Sequence, residues 1–478
     1  MAFLRQLVFA TLLAVAGLAL VGGVLYQFFG LRVGFGGAGR PRLMFLTTGS
    51  EQARAIEEHR AAQRTARGQA VAPAPAGPAA PAPAVTVTPD APAAPAYWTD
   101  FRGPNRDGRY AQMPVRTDWP ENGLTPLWKQ PVGGGYASFA VARGRAFTIE
   151  QRGDEEVAAA YDAATGLELW TNRWRALFRE SMGGDGPRAT PTWSDQLVYV
   201  LGATGELRCL EETSGRLVWR KNILDDNKAG NLQWGMAASP LVVGEVVIVL
   251  PGGLDGRSVV AYHRRTGERV WSALDDSQAY SSPMRVTLAG RPQLLVLTAS
   301  RLVGLAPDGG ALLWSYPWVT TSDINVAQPL VVGPNRVFVS SGYGVGGAVI
   351  EIAEAGGRFD VREVWRNVRM KNKFTSSVLH EGFIYGLDES ILACVDAATG
   401  DQKWKGGRYG YGQVLLAGGR LIVLTEDGDL VLVAATPDGH QELRRFSALS
   451  GRTWNHPAMA EGRLFVRNLQ EMAAFDLR

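Results

Sequence analysis

Residues that could bind a ligand recur in short polar segments spread between residues 133 and 456. Each of these segments precedes an apolar run, and together they carry cations, amides, carboxylates and flat aromatic rings. Cations attract carboxylates and aromatic rings stack on planar groups, so side chains of these types around one concavity predict a site for a planar or anionic ligand or a peptide. Polar residues that merely line a hydrated channel are the alternative interpretation. The candidate binding residues are Arg188, Asn231, Trp234, Tyr280, Asp323, Asn325, Lys371, Lys373, Arg408, Tyr411, Trp454 and His456.

A repeated unit of strand, tight turn and strand positions these segments. The unit is clearest at residues 161–170, returns nearly unchanged at 395–404, and has looser copies at 210–219 and 262–271. In each copy an apolar alternation leads into the turn, a glycine supplies the positive φ, and a tryptophan follows four residues later. A repeat of this kind predicts a modular all-β fold.

The spacing of the repeat predicts how many units the protein contains. The aromatic residues that end the units lie ~40–50 residues apart, the length of a four-stranded propeller blade. They are Trp128, Trp170, Trp219, Trp271, Trp314, Trp365, Trp404 and Phe446. We expect the tryptophans to pack between neighbouring blades.

The two ends of the repeat region complete one blade between them. After Phe446 the chain supplies three more strands, and residues 124–128 supply the missing fourth. We therefore predict an eight-bladed β-propeller with four-stranded antiparallel blades over residues 97–478, closed by a blade that uses both termini. An open solenoid or two β-sandwiches would leave the three-plus-one division unexplained.

The repeat resembles that of pyrroloquinoline-quinone (PQQ) enzymes, on the residues Thr165-Gly166 to Trp170 and their copies. Quinoprotein alcohol dehydrogenases and BamB, the propeller lipoprotein of the outer-membrane assembly machine, share this repeat. The segment from Trp98 to Gly108 is similar to that of bacterial envelope proteins described only as PQQ-binding-like propellers. The resemblance implies the fold but not an activity.

An enzyme of the quinoprotein class would need more than the repeat. The resemblance implies calcium beside the quinone, a tryptophan floor and a ring of adjacent cysteines. Here Asp185, Asn231, Asp323 and Asn325 could supply oxygen ligands, with Trp234 as the floor and Arg188 at a quinone oxygen. However, the two cysteines, Cys209 and Cys394, lie four units apart, so we expect no disulfide and interpret both as small buried apolar residues.

The N-terminal 96 residues are predicted to hold the propeller at a membrane. After a flank at 1–6, residues 7–31 are almost entirely apolar and exceed the ~20 residues that cross a bilayer, so we expect an uncleaved anchor. Residues 32–69 are charged, with a solvated helix predicted over 50–67 whose charges serve only solubility, and 70–96 form an Ala/Pro-rich spacer. Arginines after the apolar run favour a cytoplasmic C-terminus, whereas the spacer favours export.

The net charge and the histidine spacing argue against two kinds of ligand, nucleic acid and metal ions. The net charge is +3 with no basic tract, which argues against nucleic acid, and the five histidines lack metal-ligand spacing, so no metal site is expected. We predict a monomeric binding or scaffolding propeller in the periplasm, anchored in the inner membrane through residues 7–31. Its partner would be an envelope protein or a small planar or anionic ligand at the loop-bearing face. No catalytic residues are assigned; the alternative is a periplasmic oxidoreductase that uses PQQ with calcium on alcohols or sugars.

Overall fold

The computed structural model describes residues 11, 15, 17, 20–25, 31–45, 49–66, 96–321 and 323–478. Residues 126–476 contain eight four-stranded antiparallel sheets, which confirms the predicted propeller. The first four blades consist of Ala140–Ala142, Arg145–Arg152, Glu155–Asp162 and Glu168–Arg175; Thr192–Ser194, Leu197–Leu201, Glu206–Glu211 and Leu217–Asn222; Leu241–Val243, Val246–Val249, Val259–His263 and Arg269–Ala273; and Met284–Leu288, Arg291–Leu297, Arg301–Leu305 and Leu312–Pro317.

The second half of the ring repeats this arrangement. Blades five to eight consist of Leu330–Gly333, Arg336–Ser341, Gly346–Ala355 and Arg358–Asn367; Val378–His380, Phe383–Asp388, Ile391–Asp396 and Gln402–Arg408; Gln413–Ala417, Arg420–Leu424, Asp429–Ala434 and Glu442–Ser447; and Ala458–Ala460, Arg463–Arg467, Glu471–Asp476 and Pro126–Pro131. The short strand Arg109–Tyr110 adds to blade seven in parallel, and a short helix, Ile223–Asn227, follows blade two.

The eighth blade is built from both ends of the propeller, as predicted. Pro126–Pro131 pairs antiparallel with Glu471–Asp476, with Trp128 opposite Ala474. The strand begins two residues later than the predicted 124–128. Because this pairing covers the edges that the terminal strands would otherwise expose, it closes the ring.

The repeated glycine and tryptophan form the contacts between blades. Trp128 packs on the turn glycine Gly166 of blade one and donates a hydrogen bond to the carbonyl of Ala163 at 3.2 Å. Trp170 packs in the same way on Gly215 of blade two. Both glycines have φ near 70°, and a Cβ at either position would overlap the indole ring. The predicted inter-blade role of the tryptophans is therefore confirmed.

A belt of hydrogen bonds joins the starts of the innermost strands. The backbone N–H of Thr190 donates to Ser239 Oγ at 2.9 Å, and that of Ser239 donates to Ser282 Oγ at 2.8 Å, so each blade is tied to the next. The belt runs through Ser138, Thr190, Ser239, Ser282, Gln328 and Ser376. Both cysteines are buried and free, as expected.

Two arginines of the segment before the propeller fill the middle of the ring. Arg106 is 1% exposed and donates to the carbonyls of Ser239 (3.1 Å), Pro240 and Pro283 (2.9 Å). It also pairs with Asp100 at 2.7 Å. Arg102 reaches the other side of the ring, where it donates to the carbonyls of residues 376 and 377. The segment 98–108 is therefore a hub that satisfies inward-facing carbonyl groups from several blades.

The N-terminal helix spans Gly49–Ala66 and contacts the propeller. Arg60 is 1% exposed and donates to Gln130 Oε1 at 2.9 Å and to the carbonyl of Pro131 at 2.8 Å. Its guanidinium lies 5.1 Å from the ring centroid of Tyr161. The expectation that this helix is solvated and that its charges serve only solubility was wrong. A spacing of charges alone cannot distinguish a solvated face from one that meets buried acceptors.

The predicted anchor at 7–31 and the predicted spacer at 70–96 lie largely outside the described residues. Within the described residues no helix is both long enough and apolar enough to span a bilayer, and much of the predicted anchor at 7–31 lies outside those residues. A β-hairpin, Leu31–Phe35 with Pro41–Phe45, begins at the last residue of that segment. The Ala/Pro-rich spacer lies almost wholly outside the described residues.

Candidate functional site

The segments that precede the innermost strands meet around a cavity of about 230 Å³. Six aromatic residues from separate blades form much of its wall: Tyr136, Trp234, Tyr280, Tyr343, Phe374 and Trp454. Two cations, Arg188 and Lys373, also line it, and Phe101 and His456 contribute on the side of the arginine hub. We call this space the central cavity. Its composition is that of a site for a ligand with both apolar and polar groups.

Aromatic contacts fix the shape of the wall. The rings of Tyr136 and Trp454 stack with centroids 5.3 Å apart, and Phe374 lies 4.8 Å from Trp454. On the other side of the cavity Trp234 and Tyr280 are 5.6 Å apart. The guanidinium of Arg452 lies 4.5 Å above the Trp454 ring. Rings that support one another in this way present a preformed surface, which lowers the entropic cost of binding.

The two lining cations are engaged in different ways. Arg188 lies 4.6 Å from the Phe178 ring and donates to the carbonyls of Gly184 (2.6 Å) and Gly186, so it organises its own loop. Lys373 lies about 5 Å from the rings of Tyr343 and Tyr411. Burial lowers the pKa of both side chains. The guanidinium of Arg188 is engaged by its own loop, whereas the ammonium of Lys373 is held against two rings. Lys373 is therefore the lining cation that can donate a hydrogen bond to a carbonyl from outside the blades.

His456 is a neutral structural residue at the base of the cavity. Its Nε2 lies 3.0 Å from Nη1 of Arg102, which is a donor, so Nε2 accepts. Its Nδ1 then carries the proton and donates to the carbonyl of Pro457 at 2.6 Å. Burial, reinforced by the nearby Arg102 charge, holds the pKa of His456 well below its usual value. The residue supports the hub and cannot act as a cationic ligand contact.

The structure places six of the twelve candidate residues on the cavity wall: Arg188, Trp234, Tyr280, Lys373, Trp454 and His456. Tyr411 lies directly against this group, with its ring 5.4 Å from Phe374. The remaining five do not line the cavity. Lys371 is drawn to Asp388, with its Nζ 2.6 Å from the carboxylate, and Arg408 donates to Ser390 Oγ at 2.8 Å.

Three amide or carboxylate candidates also fall outside the wall. Asn325 is fully buried, and its amide donates to three carbonyls while its Oδ1 accepts from Ser341, so it is a structural bracket. Asn231 is exposed and donates to the carbonyl of Ala203 at 2.9 Å. Asp323 is exposed and adopts a positive φ of 56° in a turn.

Sequence reasoning missed two polar residues of the site, Glu426 and Arg452. Glu426 is 6% exposed and accepts from Trp454 Nε1 and from the backbone N–H of Tyr411, both at 3.2 Å. Arg452 immediately precedes the segment of Trp454 and donates to the carbonyl of Met182 at 3.0 Å. Arg452 could have been found from its adjacency to Trp454. Glu426 lies in a turn sequence that gives no sign of a binding role.

The tip of the hairpin Leu31–Phe45 lines one side of the central cavity through Phe35, Gly36, Gly37 and Gly39, and we call this side the cavity mouth. Gly37 is buried, and its N–H donates to Glu426 Oε1 at 2.6 Å, while Lys373 Nζ donates to its carbonyl at 2.5 Å. Arg452 Nη1 donates to the carbonyl of Phe35 at 3.0 Å. These side chains therefore bind a peptide main chain, with the acid on an N–H and the cations on carbonyl oxygens.

The residues do not fit a calcium-bound quinone. None of the four proposed oxygen donors, Asp185, Asn231, Asp323 and Asn325, lines the cavity, and the amide of Asn325 is fully engaged. Within the ranges that the structure describes, no group of three or more His, Cys, Asp or Glu side chains could hold a metal ion.

The chain is similar in sequence to an outer membrane assembly factor. The family model described as outer membrane protein assembly factor BamB matches residues 120–220 and 153–406, more than half of the chain. The curated BamB of Burkholderia pseudomallei (strain K96243) is 23% identical over 373 residues, which cover 68% of this chain and 91% of that protein.

Solved structures show the same fold. BamB from Moraxella catarrhalis superposes with a TM-score of 0.53 at 14% identity, covering 74% of this chain and 99% of that one. A quinohemoprotein alcohol dehydrogenase, ADHIIG from Pseudomonas putida HK5, gives a TM-score of 0.56 at 13% identity, with 80% of each chain covered. At these identities the structural likeness establishes the architecture alone.

Proposed function

The chain belongs to the PQQ-like β-propeller repeat family whose model is described as outer membrane protein assembly factor BamB, and from that premise we propose that it is a binding and scaffolding module of the bacterial cell envelope. Its ligand is a segment of an envelope protein taken at the central cavity. Its propeller lies in the periplasm, tethered to the inner membrane by the apolar residues 7–31.

One observation supports a protein ligand above all others. Glu426, Lys373 and Arg452 contact backbone N–H and carbonyl groups of the chain's own hairpin turn, and this turn lines the same cavity as the six aromatic rings. Main-chain hydrogen bonds give affinity for any polypeptide, and surrounding apolar rings add selectivity for the side chains on either side. A small planar ligand would use the rings but would leave this set of main-chain contacts unexplained.

The relatives favour a scaffold over an enzyme. The curated relative is named as an assembly factor, and it matches most of its own length. The quinoprotein alternative rests on fold likeness at 13% identity, and the oxygen donors it needs lie away from the cavity. We expect no shift of the quinone absorbance when PQQ and calcium are added to the purified protein.

Site-specific photo-crosslinking in cells tests the proposal. A photoreactive residue replaces Tyr343, which lines the cavity and is 40% exposed, or replaces Leu312, which is 45% exposed on the outer strand of blade four. We expect a discrete crosslink to an envelope protein from position 343 and none from position 312. Equal crosslinking from both positions, or none from 343, would refute the cavity as the binding site.

The location is tested separately with a reporter. Alkaline phosphatase fused after Arg478 should be active if the propeller is exported, because the enzyme folds only outside the cytoplasm. Alkaline extraction of membranes should leave the full chain in the pellet if residues 7–31 anchor it. An inactive phosphatase together with an active cytoplasmic reporter at the same position would overturn the periplasmic assignment.

A further inference from the structure

The hairpin that lines the cavity mouth is held by its main chain. Its strands pair with Leu31 opposite Phe45 and Phe35 opposite Pro41. The turn closes through Gly36 N–H to the carbonyl of Arg40 at 3.0 Å and Gly39 N–H to the carbonyl of Gly36 at 2.8 Å. We call residues 35–39 the hairpin tip. It is a preformed β-turn presented to the propeller.

The position of Gly37 in the tip excludes a side chain. A Cβ built on Gly37 would overlap the ring of Tyr411, whose own N–H is held by Glu426 at 3.2 Å and whose hydroxyl donates to Glu389 at 3.0 Å. Tyr411 is buried and fixed at both ends, so it cannot swing away cheaply. The neighbouring Ala38 is exposed. The cavity therefore selects glycine at one position and tolerates other residues beside it.

Two of the three propeller side chains that bind the tip also have hydrogen-bond partners within the propeller, and the third, Lys373, lies against the rings of Tyr343 and Tyr411. Glu426 accepts from Trp454 Nε1, and Arg452 donates to the carbonyls of Met182 and Gly183. Removing the tip therefore leaves Glu426 and Arg452 with hydrogen bonds, and leaves the ammonium of half-buried Lys373 at the cavity wall, where water can replace the lost carbonyl. The free-energy penalty for unpaired buried groups is small. The hairpin tip can therefore leave the cavity without a large free-energy cost to the propeller.

We propose that the hairpin tip is a resident pseudo-ligand of the central cavity, and that the ligand it stands in for is a glycine-containing peptide turn of a partner protein. This deepens the proposed function, on whose site it rests. While the tip is bound, an external turn competes with a segment attached to the same chain. The apparent affinity for the external turn is therefore its intrinsic affinity multiplied by the fraction of molecules whose cavity is open.

Peptide binding to the full-length protein in mild detergent tests the idea. The probe is a fluorescent peptide with the sequence of residues 31–45, measured by anisotropy against the wild type, Gly37→Val and Ala38→Val. Valine at 37 cannot enter beside Tyr411, so this variant should expose the cavity and bind the probe at least about tenfold more tightly than the wild type. Ala38→Val adds the same side chain at an exposed position and should behave as the wild type.

Two further measurements guard the interpretation. A probe that itself carries Gly37→Val should not bind, and adding Glu426→Gln to the opened protein should weaken binding of the native probe. Hydrogen exchange should show the Gly37 amide protected in the wild type and in Ala38→Val but not in Gly37→Val, with equal melting curves for all three.

The outcomes separate this inference from the proposed function. If Gly37→Val binds the native probe no better than the wild type, or binds the valine probe equally well, the pseudo-ligand is refuted. A crosslink from position 343 that persists in that case leaves the scaffold function standing. Conversely, tight probe binding without any cellular crosslink supports the turn-binding cavity and rejects the envelope partner.

Discussion

Replacement of Arg106 by alanine should destabilise the whole propeller, because this one side chain donates to carbonyls that precede blades three and four and to Thr192 Oγ1 of blade two. Its guanidinium reaches the carbonyls of Ser239 and Pro283 at 3.1 and 2.9 Å, and it neutralises Asp100 at 2.7 Å. It is 1% exposed, so water cannot replace it without rearrangement.

The magnitude follows from what is left behind. Each buried acceptor without a partner costs about 1–3 kcal/mol, and a buried carboxylate that loses its cation costs about 3–5 kcal/mol. Asp100 keeps a hydrogen bond from Thr192 Oγ1 at 3.2 Å, which places its share at the lower end. The carbonyl of Pro240 keeps Thr192 Oγ1 as a donor, so two carbonyls lose their donor and Asp100 loses its cation, and we expect the free energy of unfolding to fall by about 5–9 kcal/mol. Arg106→Lys should recover only part of this loss, since one ammonium cannot reach all of the acceptors.

Urea unfolding followed by tryptophan fluorescence and circular dichroism measures the effect. The matched control is Arg109→Ala, three residues further along and exposed, which should change the unfolding free energy by less than about 0.5 kcal/mol. If Arg106→Ala unfolds within about 1 kcal/mol of the wild type, the hub contributes little and the ring is held by its blade contacts alone.

Three other predictions test the remaining contacts. Deleting residues 1–95 should lower the free energy of unfolding by about 3 kcal/mol relative to deleting residues 1–48. Only the longer deletion removes the helix that carries buried Arg60, so equal urea midpoints for the two truncated proteins would contradict this prediction. Trp219→Ala should cost about 3–5 kcal/mol in urea unfolding, whereas Trp234→Ala should leave the midpoint nearly unchanged and abolish the crosslink from position 343; the reverse pattern would make Trp234 core. Burial raises the pKa of Glu156 to about 7, so the free energy of unfolding should fall by on the order of 3 kcal/mol as pH rises from about 4.5 to about 7, and then level off. Urea titrations at each pH should show that Glu156→Gln loses this pH dependence, and an unchanged dependence would exclude Glu156 as its source.

The ring could be predicted from the sequence because its determinants are local and repeated. Each turn glycine and each tryptophan recur at fixed spacing, and contacts such as Trp170 on Gly215 are the same contact in successive blades. The closure of the eighth blade followed from counting strands at both ends. The docking of the helix Gly49–Ala66 could not be read in this way, because its buried acceptors, such as Gln130, lie in another part of the chain.

The site could be predicted only in part. Propeller geometry brings the strand-preceding segments together, which is why Trp234, Lys373 and Trp454 reach one cavity. Side-chain direction within a segment depends on packing, so Asn325 turns to three backbone carbonyls and leaves the cavity wall. Glu426 escaped notice because its partner, Gly37, is 389 residues away and no local pattern links them.

The two N-terminal segments that enter the ring differ in what each leaves behind when it departs. In the hub, arginines from segment 98–108 satisfy carbonyls that belong to the blades, so withdrawal would strand acceptors fixed in the propeller. At the cavity mouth the relation is reversed, because propeller side chains bind the main chain of the hairpin tip. Glu426 and Arg452 keep internal partners when the tip leaves, and the freed backbone groups of the tip return to water. A permanent support and an exchangeable occupant therefore differ in which partner supplies the side chains, and this difference supports our proposal that a partner protein enters at the cavity mouth and not at the hub.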